Sequence, residues 1–412
     1  MLARDDCYCS GMTSALTSAP ASTIAAIATR SARRGACPTL AEPMPTGDGL
    51  LARIRVAGRA LTPRQVLELA RLAAQYGNGL VEITARGNVQ VRGLRPDTNS
   101  TFAAAVEKLI SIETGLVIDI SPITGIDPKE LCDPRPIASA IAAGARAFED
   151  KLGPKVSVVV DGCGQISLAA LKADIRLAAT RMRHWAVQFG GGKPQLMDAD
   201  AAVAATLAVL GALAAIGPEC RATDLFPQNS HEPHAATKHR DGDHYDVAGG
   251  HTTALALPFG SARSKDLLAL AEAAEIFGVT TFRLAPDHVL LMDNAPAELI
   301  ARAATLGFII SADDPRRRVS ACIGMEGCSS GFIAARAVAE KLAGHVGPRH
   351  LHVSGCSKGC AHPRPAAVTV VGRPDGIGLV IGGRAGDTPH KILDEAGLTD
   401  VLVHLQVPDD AI

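Results

Sequence analysis

The sequence predicts a mixed α/β protein built by internal duplication, and three observations carry that expectation. A strand–helix–hairpin–helix order near residue 50 recurs about 200 residues later. Each occurrence is followed by a longer stretch of alternating strand and helix patterns. Apolar residues make up 47% of the 412 residues, enough to fill several cores rather than one.

The first occurrence opens with a strand over Leu50 to Val56. Thr62-Pro63-Arg64-Gln65 is a capping box with proline at the first helical position, and the helix it starts stops near Gly77. Leu80 to Thr84 and Asn88 to Gly93 form a hairpin around Arg86-Gly87, and 100–111 is helical. In the second occurrence Thr252 to Leu257 is the strand and Ser264 caps the helix that ends at Gly278. Thr281 to Leu284 pairs with Val289 to Met292, and Ala297 to Leu306 is helical. Strand–helix–hairpin–helix is half of a ferredoxin-like sandwich, so the two halves are expected to complete one sheet between them.

The expected boundaries are a tail over 1–46, a first half domain over 47–115 and a first α/β domain over 116–216. A His- and Asp-rich linker over 217–250 follows, then a second half domain over 251–310 and a second α/β domain over 311–412. The first α/β domain contains a strand over Val156 to Val160. The second contains strands over His350 to Val353 and Ala367 to Val371.

A formal net charge of −1 gives no global attraction to nucleic acid or to an anionic membrane. One Trp and three Tyr offer little for base stacking. The most apolar run, Ala201 to Ile216, falls short of a bilayer span and reads as a buried helix. The Ser-, Thr- and Ala-rich first 30 residues read as a tail without a secretory pattern. Glycines at 190–192 lack the spacing of a phosphate loop, and no dinucleotide fingerprint follows a strand. Electrons are therefore expected from a separate donor.

Four of the ten cysteines carry the chemistry: Cys322 and Cys328 with five residues between them, then Cys356 and Cys360 with three between them. In a long chain without an export signal such crowding favours metal binding in a reducing cytoplasm over disulfides. Four thiolates suit a [4Fe–4S] cluster. A helix over Ser330 to Leu342 is expected to start beside the first pair, where its N-terminus would offset the negative charge. A zinc site is the alternative, from which the five-residue gap departs. The other cysteines read as small buried hydrophobes.

This pattern in the later half of a duplicated ferredoxin-like chain resembles the sulfite and nitrite reductase superfamily. Arg34-Gly35-Ala36-Cys37-Pro38 and Thr46-Gly47-Asp48-Gly49-Leu50-Leu51 are similar, within it, to the precorrin-3B synthase family. The resemblance implies sulfite/nitrite reductase-type α/β domains and a monooxygenase of aerobic cobalamin biosynthesis. Such an enzyme hydroxylates precorrin-3A with dioxygen and a reductant and closes a lactone. It implies a [4Fe–4S] cluster on Cys322, Cys328, Cys356 and Cys360, and a mononuclear non-haem iron with unidentified ligands. An electron donor such as a ferredoxin or an NAD(P)H-dependent reductase follows. In the reductases the last cysteine also bridges to sirohaem, a cofactor expected only under the alternative reading of sulfite or nitrite reduction.

Alternation along the first hairpin puts Arg86, Asn88, Gln90 and Arg92 on one face, a cationic surface for a polycarboxylate. The second hairpin has Pro286, His288, Leu290 and Met292 there. Arg86 occupies the position of a reductase arginine that contacts sirohaem carboxylates. Lys155 is a further candidate for a substrate carboxylate. Ser157 stands where the reductases carry a second lysine, which argues against sulfite or nitrite as substrate. Arg316 to Arg318 precede the cysteines and could bind substrate or screen the cluster. Asp161 reads foremost as a turn residue. Histidines 231, 234, 239, 244 and 251 are irregularly spaced, and His362 is better placed near Cys360. No catalytic residue stands out.

Overall fold

The computed structural model describes residues 37–181, 183–227, 244–345 and 347–403. Residues 1–36 of the expected tail and His231, His234 and His239 lie outside them, whereas Met44–Thr46 of that tail is a strand paired with Gly49–Leu51. The chain divides into two compact units. One lies between Thr114 and Arg240, and the other combines Pro38–Glu113 with the chain from Asp241 onward.

In the second of these units the two repeats form as read, with ends shifted by a residue or two. The first has strand Gly49–Ile54, helix Pro63–Tyr76, hairpin Leu80–Ile83 with Val89–Leu94, and helix Asn99–Leu109. The Thr62–Gln65 capping box is present in full. The second has strand Gly250–Ala256, helix Ser264–Ile276, hairpin Phe282–Ala285 with Val289–Asp293, and helix Ala297–Thr305. Ser264 does not cap its helix. It is the first helical residue, and its hydroxyl donates to the Gly79 carbonyl at 3.0 Å.

The repeats do not share one sheet. They build two five-stranded sheets, each closed by a strand from the other repeat. Ser261–Arg263 of the second repeat pairs with Leu80–Ile83, and Ala60–Leu61 of the first pairs with Phe282–Ala285. The exchange covers one exposed edge in each sheet, which otherwise would leave unpaired amides. Both sheets and the helices above them share one core, with Leu67, Phe102, Leu270 and Phe282 among its most buried side chains.

The same unit contains a mixed sheet in the order Val319–Ala321, Leu351–Ser354, Ala366–Arg373, Gly376–Gly383, Lys391–Leu393. Its first two pairings are parallel and its last two antiparallel. The helix expected over Ser330 to Leu342 is only Ala335–Leu342. The missing turns are held in loop geometry, because the Phe332 amide donates to Gly355 O at 2.8 Å and Gly331 packs against the Gly324–Met325 backbone. Part of the expected linker is also ordered: His244–Val247 is an edge strand paired with Gly250–Ala256.

The other unit repeats that sheet design in the order Val117–Asp119, Ser157–Asp161, Ile175–Ala179, Trp185–Phe189, Gln195–Met197. Here too the first two pairings are parallel and the last two antiparallel. Helix Ala199–Ile216 is long and apolar enough to cross a membrane. Its Ala202, Thr206, Val209, Leu210, Leu213 and Ala214 are buried, and most of them pack in the core of this unit.

Candidate iron–sulfur centre

Cys322 follows strand Val319–Ala321, and Cys356 and Cys360 lie on the loop after its parallel neighbour Leu351–Ser354. Parallel pairing sends both chain exits to the same sheet end, which is why cysteines 34 residues apart meet. The Gly355 amide donates to Cys322 Sγ at 3.0 Å. Cys328 closes the other side through its amide to Gly324 O at 3.0 Å. Gly324, in the left-handed region at φ 65°, packs against Gly355, and a Cβ on Gly355 would come within 2.8 Å of Gly324 Cα. The two loops approach this closely only because both positions lack side chains.

The four thiols form one group. Partial burial, then the neighbouring Cys322, Cys356 and Cys328 sulfurs, push the Cys360 thiol up from its ordinary range. Cys356 is buried, Cys322 and Cys328 are half-buried and Cys360 is exposed. Among the described residues, no three His, Cys, Asp or Glu side chains close on one point as a single ion requires. Four thiols grouped this way are the ligand type an iron–sulfur cluster takes. Ligands for a separate mononuclear iron are likewise not found among the described residues.

The first hairpin differs from the open cationic face expected of it. Gln90 and Arg92 are buried, at 8% and 6% exposure. Gln90 accepts from Arg53 Nη2 at 2.8 Å and donates to Glu82 at 2.9 Å. Arg92 grips Asp48 with two hydrogen bonds of 3.0 Å and donates to Gly327 O at 2.9 Å. Glu82 also receives Arg336 at 2.5 Å. Burial raises the Asp48 pKa, but the Arg92 and Thr46 hydrogen bonds and the Arg92 charge outweigh it, and the net shift is downward. Strand alternation was read correctly, but this face meets protein. Arg86 and Asn88 remain half-buried at the turn, where Arg59 holds the Arg86 carbonyl.

Lys155 is exposed and belongs to the other unit, just before strand Ser157–Asp161. Ser157 itself is 2% exposed, and its amide donates to Asp174 at 3.0 Å. Of the arginine triplet, Arg316 is engaged by Asp314 at 2.6 Å and Arg318 by Gly347 O at 3.0 Å. The Asp161 carboxylate accepts from the amides of Cys163 and Leu168, as a turn residue does.

Sequence reasoning singled out His362 but missed the two histidines it meets beside the cysteine loop. Ser320 Oγ lies 3.0 Å from both His350 Nε2 and His352 Nδ1. The His362 ring lies 4.5 Å from His350 and 5.7 Å from His352, centroid to centroid. Burial first, then the facing charges of His362, His352 and Arg364, push His350 down to about 4, and burial chiefly does the same to His352. The spacing His350-x-His352 was visible, but nothing local tied it to Ser320.

Comparison with known proteins agrees with this picture. Residues 42–109 match the nitrite/sulfite reductase ferredoxin-like half domain. The NirA protein of Mycobacterium tuberculosis has the same fold, with a TM-score of 0.64 and 19% identity, covering 86% of this chain and 79% of that one. A ferredoxin–nitrite reductase of Synechococcus elongatus is 23% identical, over 85% of this chain and 83% of its own. The chain thus has a fold of nitrite/sulfite reductase type, a family that implies an iron–sulfur cluster. A precorrin-3B synthase of Sinorhizobium sp is 38% identical over 406 residues, covering 91% of this chain and 88% of the relative. At that identity and coverage the chain belongs to the precorrin-3B synthase family.

Proposed function

We propose that this protein is a precorrin-3B synthase, a monooxygenase that hydroxylates precorrin-3A in aerobic cobalamin biosynthesis. The four-thiol centre, in a chain 38% identical to a curated precorrin-3B synthase, carries the reading. Cys322, Cys328, Cys356 and Cys360 would hold a [4Fe–4S] cluster. When bound, that cluster supplies single electrons near the macrocycle. In the balanced reaction one atom of dioxygen enters the substrate and the other leaves as water. Two electrons and two protons come from a reductant, supplied by a ferredoxin or an NAD(P)H-dependent reductase.

The protein's own groups bind and shape. Guanidinium groups grip carboxylates with paired hydrogen bonds, so Arg86 is the first candidate for a precorrin carboxylate, with Asn88 as polar support. Exposed Met325 and Phe332, either side of Cys328, supply apolar surface for a flat macrocycle. Cys360 is the most exposed of the four. With the tetrapyrrole as substrate, it serves only the cluster. A mononuclear iron is not needed for this assignment, and the location proposed is the cytoplasm.

Anaerobic purification followed by iron and sulfide analysis and a visible spectrum is the first test. Cluster absorption without a sirohaem band is expected. Incubation with precorrin-3A, reductant and ¹⁸O₂ should then add one labelled oxygen to the product. A sirohaem band with turnover of nitrite or sulfite would instead establish a reductase.

A further inference from the structure

We infer that the Thr46–Gly49 turn and Arg92 form a clamp that positions the Cys322–Cys328 loop, and that Arg92 is a positioning residue for Cys328 rather than a substrate ligand. Three contacts carry this. Arg92 Nη2 donates to the carbonyl of Gly327, the residue before Cys328, from a position 235 residues away in sequence. Asp48 fixes the guanidinium through Nε and Nη2, both at 3.0 Å, and the pair is almost fully buried. The Asp48 carboxylate is in turn held by Thr46 Oγ1 at 2.7 Å and Asn78 Nδ2 at 2.9 Å.

Glycine does the rest on both sides of the contact. A Cβ on Gly47 would fall 2.6 Å from Ser329 N and 2.9 Å from Cys328 C. A Cβ on Gly327 would fall 2.9 Å from Asp48 Oδ2 and 3.0 Å from Arg92 Nη2. The turn therefore lies flush on the backbone of the second cysteine, and Arg92 pins the carbonyl just before it. A guanidinium is suited to this, because one planar group binds Asp48 and still presents an N–H to Gly327. The buried positive charge also lies beside a loop that would carry thiolate charge. The first half domain thus acts as a brace for a loop in the α/β domain.

The inference rests on the cluster reading only for what Cys328 binds, and its test separates the two. Arg92→Lys and Gly47→Ala would be compared with Val81→Ala, a cavity in the same sheet that does not touch the loop. Two rates are read in the full-length protein. One is loss of iron to a chelator, and the other is alkylation of each cysteine in iron-free protein, mapped by peptide mass. Cys328 should alkylate about tenfold faster in Arg92→Lys, as expected for losing about one charge-assisted hydrogen bond in the resting loop, and also faster in Gly47→Ala, where the added Cβ pushes on the Cys328 backbone. Cys356 should change little, iron loss should accelerate, and Val81→Ala should leave both rates near wild type despite a lower melting temperature. If Arg92→Lys does not fold, Gly47→Ala carries the test alone. Equal Cys328 reactivity in the clamp variants and Val81→Ala would overturn the inference. Unchanged iron loss with a raised KM for precorrin-3A would return Arg92 to the substrate. Protein that binds no iron at all would sink the cluster reading, while the alkylation rates would still decide the clamp.

Discussion

The two α/β sheets have the same strand order and the same pattern of parallel and antiparallel pairs, yet only one carries the thiol centre. The informative difference is at the loop after the second strand. In the cysteine-bearing copy it reads Gly355-Cys356-Ser357-Lys358-Gly359-Cys360, and the Gly355 amide points at a sulfur. In the other copy it reads Gly162-Cys163-Gly164-Gln165, and the loop amides point at carboxylates. Asp161 accepts from Cys163 N at 2.8 Å and Leu168 N at 3.0 Å, and Asp127 accepts from Gln165 N at 2.6 Å. Loop amides need acceptors in either case. One copy supplies them from its own acids and is complete as protein. The other directs one to a thiol, Cys322, whose sulfur acts with those of Cys328 and Cys356 on the Cys360 thiol. At Cys163 burial, then the Asp161 charge, push the thiol up to about 11.

Four experiments would break or sharpen this contrast. The largest effect is expected from Cys328→Ser, which should abolish cluster assembly and leave iron and sulfide at background in the purified protein. Retention of a full cluster would refute the ligand set. Next, Asp161→Ala should destabilise the thiol-poor copy by about 1–3 kcal/mol, because the buried Leu168 amide and the half-buried Cys163 amide lose a charged acceptor. Denaturant unfolding measures this, and iron content should stay at wild type.

A third test uses the histidines beside the thiol centre. Burial holds His350 and His352 down to about 4, whereas an unfolded histidine titrates near 6.5. Between those values the unfolded chain binds more protons than the folded one. Stability should therefore fall as pH drops from 6.5 towards 4, by up to about 1.4 kcal/mol per pH unit for each ring. Melting temperatures across that range give the slope, which His350→Gln should reduce. A slope unchanged in that variant would show that its ring titrates normally. The smallest effect belongs to Cys163→Ala, which should leave iron content and cluster spectrum unaltered. A loss of iron there would erase the distinction between the copies.

Much of this was legible locally. The Thr62–Gln65 capping box, the hairpin around Gly87 and the cysteine spacing depend on residues a few positions apart, so pattern alone located them. The helix expected from Ser330 was not legible in the same way. Its first turns have helical composition, but Gly331 and Phe332 are drawn onto the Gly324 and Gly355 loops, and helix begins only at Ala335. The cationic face failed for a related reason. Alternation placed Gln90 and Arg92 correctly, but it could not say that Glu82, Asp48 and Gly327 stand opposite.

The duplication and the four ligand candidates followed from the amino-acid order, because repeats, caps and metal-binding spacings are short-range properties of a chain. Tertiary structure decided which copies exchange strands, which loop amides meet sulfur, and that Arg92 braces Cys328. Those outcomes depend on groups brought together from opposite ends of the chain. Their partners are chosen by the geometry of sheet edges and the space left by glycines, which no local pattern records.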